Sequence, residues 1–405
     1  MINEKEILQP KKETNRSYLF DILRIFACGI VYIWHNLQMY HIKDDVHKYF
    51  SYTIKTPAKT IFTDFYYTLV NLGFLNLGYI GVGIFFMLSG YFITQSVQNS
   101  TNAKVFISKR LMRILPSILI ASLLILTIQK LHLENLGVGY IFDIKKLVLN
   151  ILLIHDFFPP TSSIDPAWWT LLTEIKYYLV TFILFRQFGQ KREKMFLYKY
   201  AFFVLAYILT IKPLLQNYPT NVSAVLNSIR DSLILIPIIL TGEILFILRT
   251  SQKNNKIYYI FVPFCLITYA LMESSNIFPG FMLINQENLS RLISVIMGAF
   301  LFIIVFLISQ LKTVSMPKLV IVFSVLSKIS LVTFQIYLIH QVMGHIFLNY
   351  LLLGFRLEYW LSQTITFTII LIFAFSINQI SKKMIKFFRI FENKASYFFS
   401  FSKFL

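Results

Sequence analysis

The sequence predicts an all-α, polytopic transmembrane helical bundle of about ten spans with both termini cytoplasmic, and three observations carry that reading. The chain of 405 residues is 56% hydrophobic and only 14% charged, with a mean hydropathy of +0.64. Apolar runs long enough to cross a bilayer recur from end to end, a pattern that fits neither a soluble domain nor one with a single anchor. The Lys and Arg residues fall between those runs, concentrated in alternate connections, which is how membrane topology is written.

The first run, Tyr18–Tyr40, follows a polar tail at 1–17. It is longer than a signal-peptide core and lacks a small-residue cleavage site, so it reads as a retained helix. Further spans are expected at 66–95, 113–129, 167–186, 199–212, 228–248, 257–272, 290–310, 331–353 and 359–380. Three of them (113–129, 199–212, 257–272) are close to or below the length a crossing needs, so the orientation is better determined than the count. With the N-terminus inside, the inner connections hold 25 Lys and Arg and the outer ones nine. The segment 141–165 is expected either as a re-entrant piece or as a surface loop. The tail 381–405 is basic and rich in Phe, and reads as an amphipathic segment on an anionic inner leaflet of membrane lipid. The domain organisation is thus a tail at 1–17, a membrane domain at 18–380 and a tail at 381–405. No soluble catalytic domain lies within this sequence, so any chemistry is expected among the bilayer helices.

The net charge of +19 would suggest nucleic acid in a soluble protein. Here it is topological, and no nucleic-acid partner is expected. Cys28 and Cys265 both lie in expected spans and form neither a disulfide framework nor a metal site. The seven histidines show no zinc spacing, and no metal is expected. P-loop and GxSxG patterns are missing from the sequence.

Arg24 and His35 stand out within the first span. Eleven steps of about 100° bring both side chains to nearly one helical face, separated by a rise of about 16 Å. A buried Arg costs about 2.5–3.5 kcal/mol on insertion scales, so an ionisable pair on one face suggests a polar path into the membrane. The competing reading is an Arg24 that snorkels to the interface and a His35 that is a satisfied core residue.

Five motifs accompany this pair: DILRIFA from Asp21, leading to His35; GYIGVGIFFMLSGYFIT at 78–94; SKRLMRILP at 108–116; PAWWTLLTEIKYYL at 166–179; and TFQIYLIH at 333–340. Together, in this order, they resemble the acyltransferase-3 family of integral-membrane acyltransferases, over a stretch from Asp21 to about Tyr350. The resemblance implies a role for each match. His35 is the catalytic base, with Arg24 ahead of it along the acyl path. Arg110 and Arg113 form the Arg-x-x-Arg pair that binds the donor. The Phe-Phe-x-x-Ser-Gly-Tyr stretch supplies Ser89 and Tyr91 to the pore. Trp169, Thr170, Leu171 and Glu174 match a Trp-Ser-Leu-x-x-Glu motif, with Thr in place of Ser. Tyr337 and His340 match a late Tyr-Leu-x-His. Gly83 and Ile25 depart from the pattern, standing where relatives often carry a polar residue and a Gly.

The chemistry fits these residue types. Acyl transfer to a hydroxyl needs a base, and a neutral imidazole suits the task. Two arginines at i, i+3 share a face and can clamp phosphates bidentately. The resemblance therefore implies an O-acetyltransferase of the plasma membrane, of bacterial type. It would move an acetyl group from cytoplasmic acetyl-CoA, its co-substrate, to a carbohydrate or lipid-linked glycan, alone or with separate glycan-assembly proteins. Arg24, Arg110 and Arg113 would bind the donor. His35 and Glu174 would be catalytic, while Ser89, Tyr91, Trp169, Tyr337 and His340 would face substrate.

Plainer roles compete at several positions. Arg110 and Arg113 also suit topology signals. Glu174 could be ion-paired to Lys176, and pore lining or packing leads for His340. The glycines of 78–90 suit close helix packing better than ligand contact. Trp168 and Trp169 suit interface anchoring better than sugar stacking. Glu243 and Arg291 are polar positions without an assigned role. A glycan or lipid flippase, or another transporter, is the competing class, although paired hydropathy halves are not evident. A membrane glycan polymerase is a third class.

Overall fold

The structure is a computed structural model and describes residues 18–38, 68, 75–159, 161–210, 220–251, 257–277, 286–310 and 326–401. The tail at 1–17, the start of the second expected span and the lysines at 43–59 lie outside the described residues. The helices are α1 (Tyr18–Gln38), α2 (Leu77–Gln98), α3 (Ala103–Asn135), α4 (Ile144–Ile151), α5 (Trp169–Phe188), α6 (Arg192–Leu209), α7 (Thr220–Leu233), α8 (Ile236–Thr250), α9 (Ile257–Ile277), α10 (Gln286–Gln310), α11 (Thr333–Ile339), α12 (Val342–Asn349) and α13 (Tyr359–Phe401). The described residues are all-α, as expected.

Six helical stretches are long and apolar enough to cross a membrane, or seven if the bent pair α11–α12 is one span. The expectation of ten is therefore only partly met, for physical reasons. Helix α5 carries Glu174, Lys176 and Arg186, and α6 carries Arg192, Glu193, Lys194 and Lys199. The apolar part of α9, Tyr258–Ser274, is too short. The charges of α6 are not all solvated. Lys199 is 1% exposed and donates to Tyr177 at 3.1 Å and to Glu243 of α8 at 2.6 Å. Glu243 and Arg291, without a role in the sequence, each prove to be half of an ion pair, the second closed between Arg291 of α10 and Glu273 of α9. Such pairs offset the desolvation of burying charge.

Helix α2 is the hub, with α1, α8 and α10 packed around it. Its composition explains this, because small residues let backbones approach where apolar burial gives no preference for protein over lipid. A Cβ on Gly90 would overlap the Ile239 carbonyl oxygen, and one on Gly242 of α8 would overlap that of Met87. Gly298 of α10 meets the Ile80 carbonyl, and Gly83 meets the Val295 backbone. Packing thus accounts for the glycine run, including Gly83. Gly90→Ala is expected to lower stability by about 1–3 kcal/mol through overpacking. Thermal unfolding of the solubilised protein reads this directly, and an unchanged midpoint would contradict the crossing.

Helices α1 and α2 are antiparallel. Phe20 near the start of α1 meets Tyr91 at 5.0 Å, while Trp34 near its end meets Tyr79 at 6.0 Å. These contacts define a Phe20 end and a His35 end of the bundle. Segment 141–165 is a capped short helix, α4, followed by a 3₁₀ turn at His155–Phe157, and a second turn, Pro166–Trp168, leads into α5.

Two expectations need correction. The run 331–353 is broken, with α11 and α12 bent by 66°, because side chains elsewhere satisfy the backbone at the break. Trp168 is no interface anchor: it is fully buried, and its indole N–H donates to the Leu338 carbonyl at 2.9 Å. The basic tail starts as a continuation of α13, with Phe387 and Phe388 exposed; residues 402–405 lie outside the described residues. Cys28 and Cys265 are buried and unbridged.

Candidate active site

Two connected cavities enter the bundle from the Phe20 end. The wider, of about 830 Å³, is lined by Arg24, Lys109, Arg110, Arg113 and Arg249, with Asp21 the one acidic lining residue among the described residues. The narrower, of about 110 Å³, continues between α1, α2, α3, α5 and α11. Arg24, Phe92, Arg110, Arg113, Thr333 and Phe334 belong to both and form the junction. Beyond them the wall is largely apolar, with Val31, Val82, Phe85, Phe86 and Leu171 among its residues. Ser89, Thr170, Glu174, Tyr178 and Tyr337 supply most of the polar surface there.

Each junction cation is held differently. Arg24 donates to Asp21 at 3.2 Å and lies 5.0 Å from the centre of the Phe92 ring. Asp21 also accepts from Ser330 at 2.8 Å, which fixes the carboxylate that orients Arg24. Arg110 is buried, donates from Nη2 to the Phe92 carbonyl at 2.6 Å, and lies over the Tyr178 ring. Its Nε has no hydrogen-bond partner among the described residues. Arg113 is exposed to the cavities. A cluster of cations around an open space is unfavourable by itself and favours an anionic occupant. Arg24→Lys keeps the charge but loses the fork, so binding of a phosphate-bearing anion at the junction is expected to weaken about ten-fold or more, the worth of a charge-assisted bond. Titration of the variant with such an anion checks this, and unchanged affinity would return Arg24 to simple snorkelling.

Glu174 is not paired with Lys176. It accepts from Ser89 and, at 2.8 Å, from Tyr178. Lys176 instead reaches Asp156 at 2.7 Å and Ser232 at 2.8 Å. Helical spacing explains the split, since residues two apart point away from one another. At the inner end Tyr337 donates to the Ala167 carbonyl and shares a 2.6 Å hydrogen bond with Thr170.

His35 and His340 lie one helical turn beyond Val31 and Tyr337, which line the cavity, and their rings are 5.0 Å apart. The His35 ring also packs against Trp34, and His345 bonds to the His35 carbonyl at 3.1 Å. Asp165, in the turn before α5, is fully buried. Burial pushes its carboxyl up to about 7, against the pull of N–H groups from Val342 and Ala167.

The structure thus gathers Arg24, Arg110, Arg113, Ser89, Glu174 and Tyr337 on one cavity, with His35 and His340 just past its inner end. Tyr91 faces the wider cavity and accepts from Arg249 at 2.9 Å. Trp169 packs edge-on against Phe86 at 6.4 Å. Lys109 and Arg249 enter the sequence reading only as topology charges. Their positions at span ends carry the same signal for topology and for ligand binding.

Residues 17–379, most of the chain, match the acyltransferase-3 family, described as an acyltransferase domain. Comparison with curated proteins and with solved structures gave no significant match. The chain belongs to the acyltransferase-3 family and is an enzyme that transfers acyl groups, so a carrier without acyl chemistry is set aside.

Proposed function

We propose, for this acyltransferase-3 family enzyme, that the donor is acetyl-CoA and the acceptor a hydroxyl of an extracytoplasmic or lipid-linked carbohydrate. The observation that carries the reading is the shape and charge of the two cavities. A wide mouth with five cations and one carboxylate narrows to an apolar-walled passage. Coenzyme A has that same division, with phosphates at one end and a thin arm ending in the thioester. Arg24, Lys109, Arg110, Arg113 and Arg249 would hold the phosphates. The arm would run past Ser89 and Glu174, bringing the thioester toward His35.

His35 would then take the proton of the acceptor hydroxyl as its oxygen bonds to the thioester carbon. The carbon–sulfur bond breaks, and CoA leaves as a thiolate that receives the proton. In this scheme the Phe20 end is cytoplasmic, both termini lie inside and the chain crosses the plasma membrane ten times, with α5, α6 and α9 crossing as well. The excess of Lys and Arg in the inner connections supports that orientation.

The test is made on membranes containing the wild type or His35→Ala and supplied with radiolabelled acetyl-CoA. Label is followed into glycan, lipid and released fractions. Label in the glycan fraction that depends on His35 is the expected result; His35-dependent label confined to another fraction would replace the acceptor class.

A further inference from the structure

The bend between α11 and α12 falls at His340, and it separates backbone groups that an unbroken helix would pair. Two of these are the Leu338 carbonyl and the Val342 N–H, which stand four residues apart. Buried without partners, each would cost about 1–3 kcal/mol, and within a bilayer they must find protein partners. Both partners come from the turn before α5. The Trp168 Nε1–H donates to the Leu338 carbonyl at 2.9 Å, and Asp165 Oδ2 accepts from Val342 N–H at 3.1 Å. Asp165 Oδ1 meanwhile accepts from Ala167 N–H at 2.9 Å, which caps its own turn. Two side chains three residues apart thus replace one helical hydrogen bond from opposite sides.

The residue held between these two points is His340. It is 1% exposed, and its Nδ1 lies 2.8 Å from the Tyr337 carbonyl. A carbonyl can only accept, so Nδ1 carries the proton and Nε2 keeps its lone pair. That Nε2 is buried with no hydrogen-bond partner among the described residues. The His340 ring faces the His35 ring at 5.0 Å. A buried acceptor with a fixed tautomer, beside the base, is costly unless a donor arrives.

We propose that Asp165 and Trp168 are positioning residues that fix the break so that His340 presents Nε2 beside His35, where it accepts a hydrogen bond from a second hydroxyl of the acceptor, next to the one that reacts. This rests on the reading of His35 as the base for acyl transfer. His340 orients the acceptor through that neighbouring hydroxyl, while the reacting hydroxyl gives its own proton to His35 as its oxygen bonds to the thioester carbon, the carbon–sulfur bond breaks and CoA leaves as the thiolate that receives the proton.

The experiment measures transfer by solubilised full-length protein with acetyl-CoA and the acceptor fraction identified above. The variants are Trp168→Phe, His340→Asn, their combination, and His35→Ala. His340→Asn keeps a donor for the Tyr337 carbonyl but has nothing in place of Nε2. It is expected to lower kcat/KM for the acceptor about ten-fold or more, the cost of a lost hydrogen bond in a water-poor site, with donor KM unchanged. Trp168→Phe loses only the N–H and is expected to give a similar change. Adding it to His340→Asn should cost nothing more, because it acts through the same imidazole.

Full activity of His340→Asn would overturn the proposal, as the residue would then be only a local cap. Losses that add in the double variant would also overturn it, by making Trp168 a general stabiliser. If His35→Ala retains activity, the base assignment fails instead. The two failures are thereby told apart.

Discussion

His35→Ala is expected to lower acyl transfer by about 10²–10⁴-fold, the range a positioned general base supplies, while acetyl-CoA binding stays unchanged. The separation follows from the geometry. His35 lies a helical turn past the inner end of the cavity, whereas the cations that would hold the donor surround its mouth. Removing the imidazole loses its ring contacts with Trp34 and His340 but leaves the crossing of α1 with the hub. The hub contacts of this helix come from residues such as Ala27 and Val31, which abut Gly81. Donor titration and transfer rate are read on the same preparation. A variant that transfers at the wild-type rate would remove His35 from the chemistry, and one that loses donor binding in parallel would make it a structural residue.

The second large effect concerns the arginine pair. With both Arg110 and Arg113 replaced by Ala, affinity for the proposed donor acetyl-CoA is expected to fall about a hundred-fold or more, two charge-assisted contacts at about 1.5–3 kcal/mol each. The single variants should differ in character. Arg113 is exposed to the cavities, so Arg113→Ala should weaken the donor and leave thermal stability unchanged. Arg110 is buried and ties α3 to the Phe92 carbonyl of α2, so Arg110→Ala should weaken both. Binding isotherms alongside melting curves distinguish the two. Equal loss of donor and acceptor binding in the double variant would mean that the pair holds the fold rather than the donor.

Much of this was legible in the sequence, for reasons visible at particular residues. The apolar runs locate α1, α2, α8 and α10 because their outer faces must suit lipid, and lipid selects composition directly. The convergence of Arg24, Arg110, Arg113 and Glu174 was readable through motif order, although they come from three helices. What escaped depends on partners distant in the chain. The break at His340 lies inside the apolar run 331–353, where the polar pair His340 and Gln341 is visible but no Pro marks a bend. It persists because Asp165 and Trp168 satisfy the freed backbone. Trp168 looked like an anchor because a Trp pair at a span end has the same local appearance whether it faces lipid or core. Lys199 read as an inner charge at the start of the expected span 199–212, and its neutralisation by Glu243 comes from another helix. Lys109 and Arg249 were hidden among the topology charges.

In the proposed reaction an acyl group passes from a donor at the cationic mouth to a hydroxyl at the opposite end of the bundle. Sealed membrane vesicles of known orientation test it most directly, with radiolabelled acetyl-CoA supplied to one face only and the acceptor enclosed on the other. Vesicles with the cytoplasmic face outward should label the enclosed acceptor, and His35→Ala vesicles should not. Label that appears only when donor and acceptor share a face would contradict transfer through the bundle.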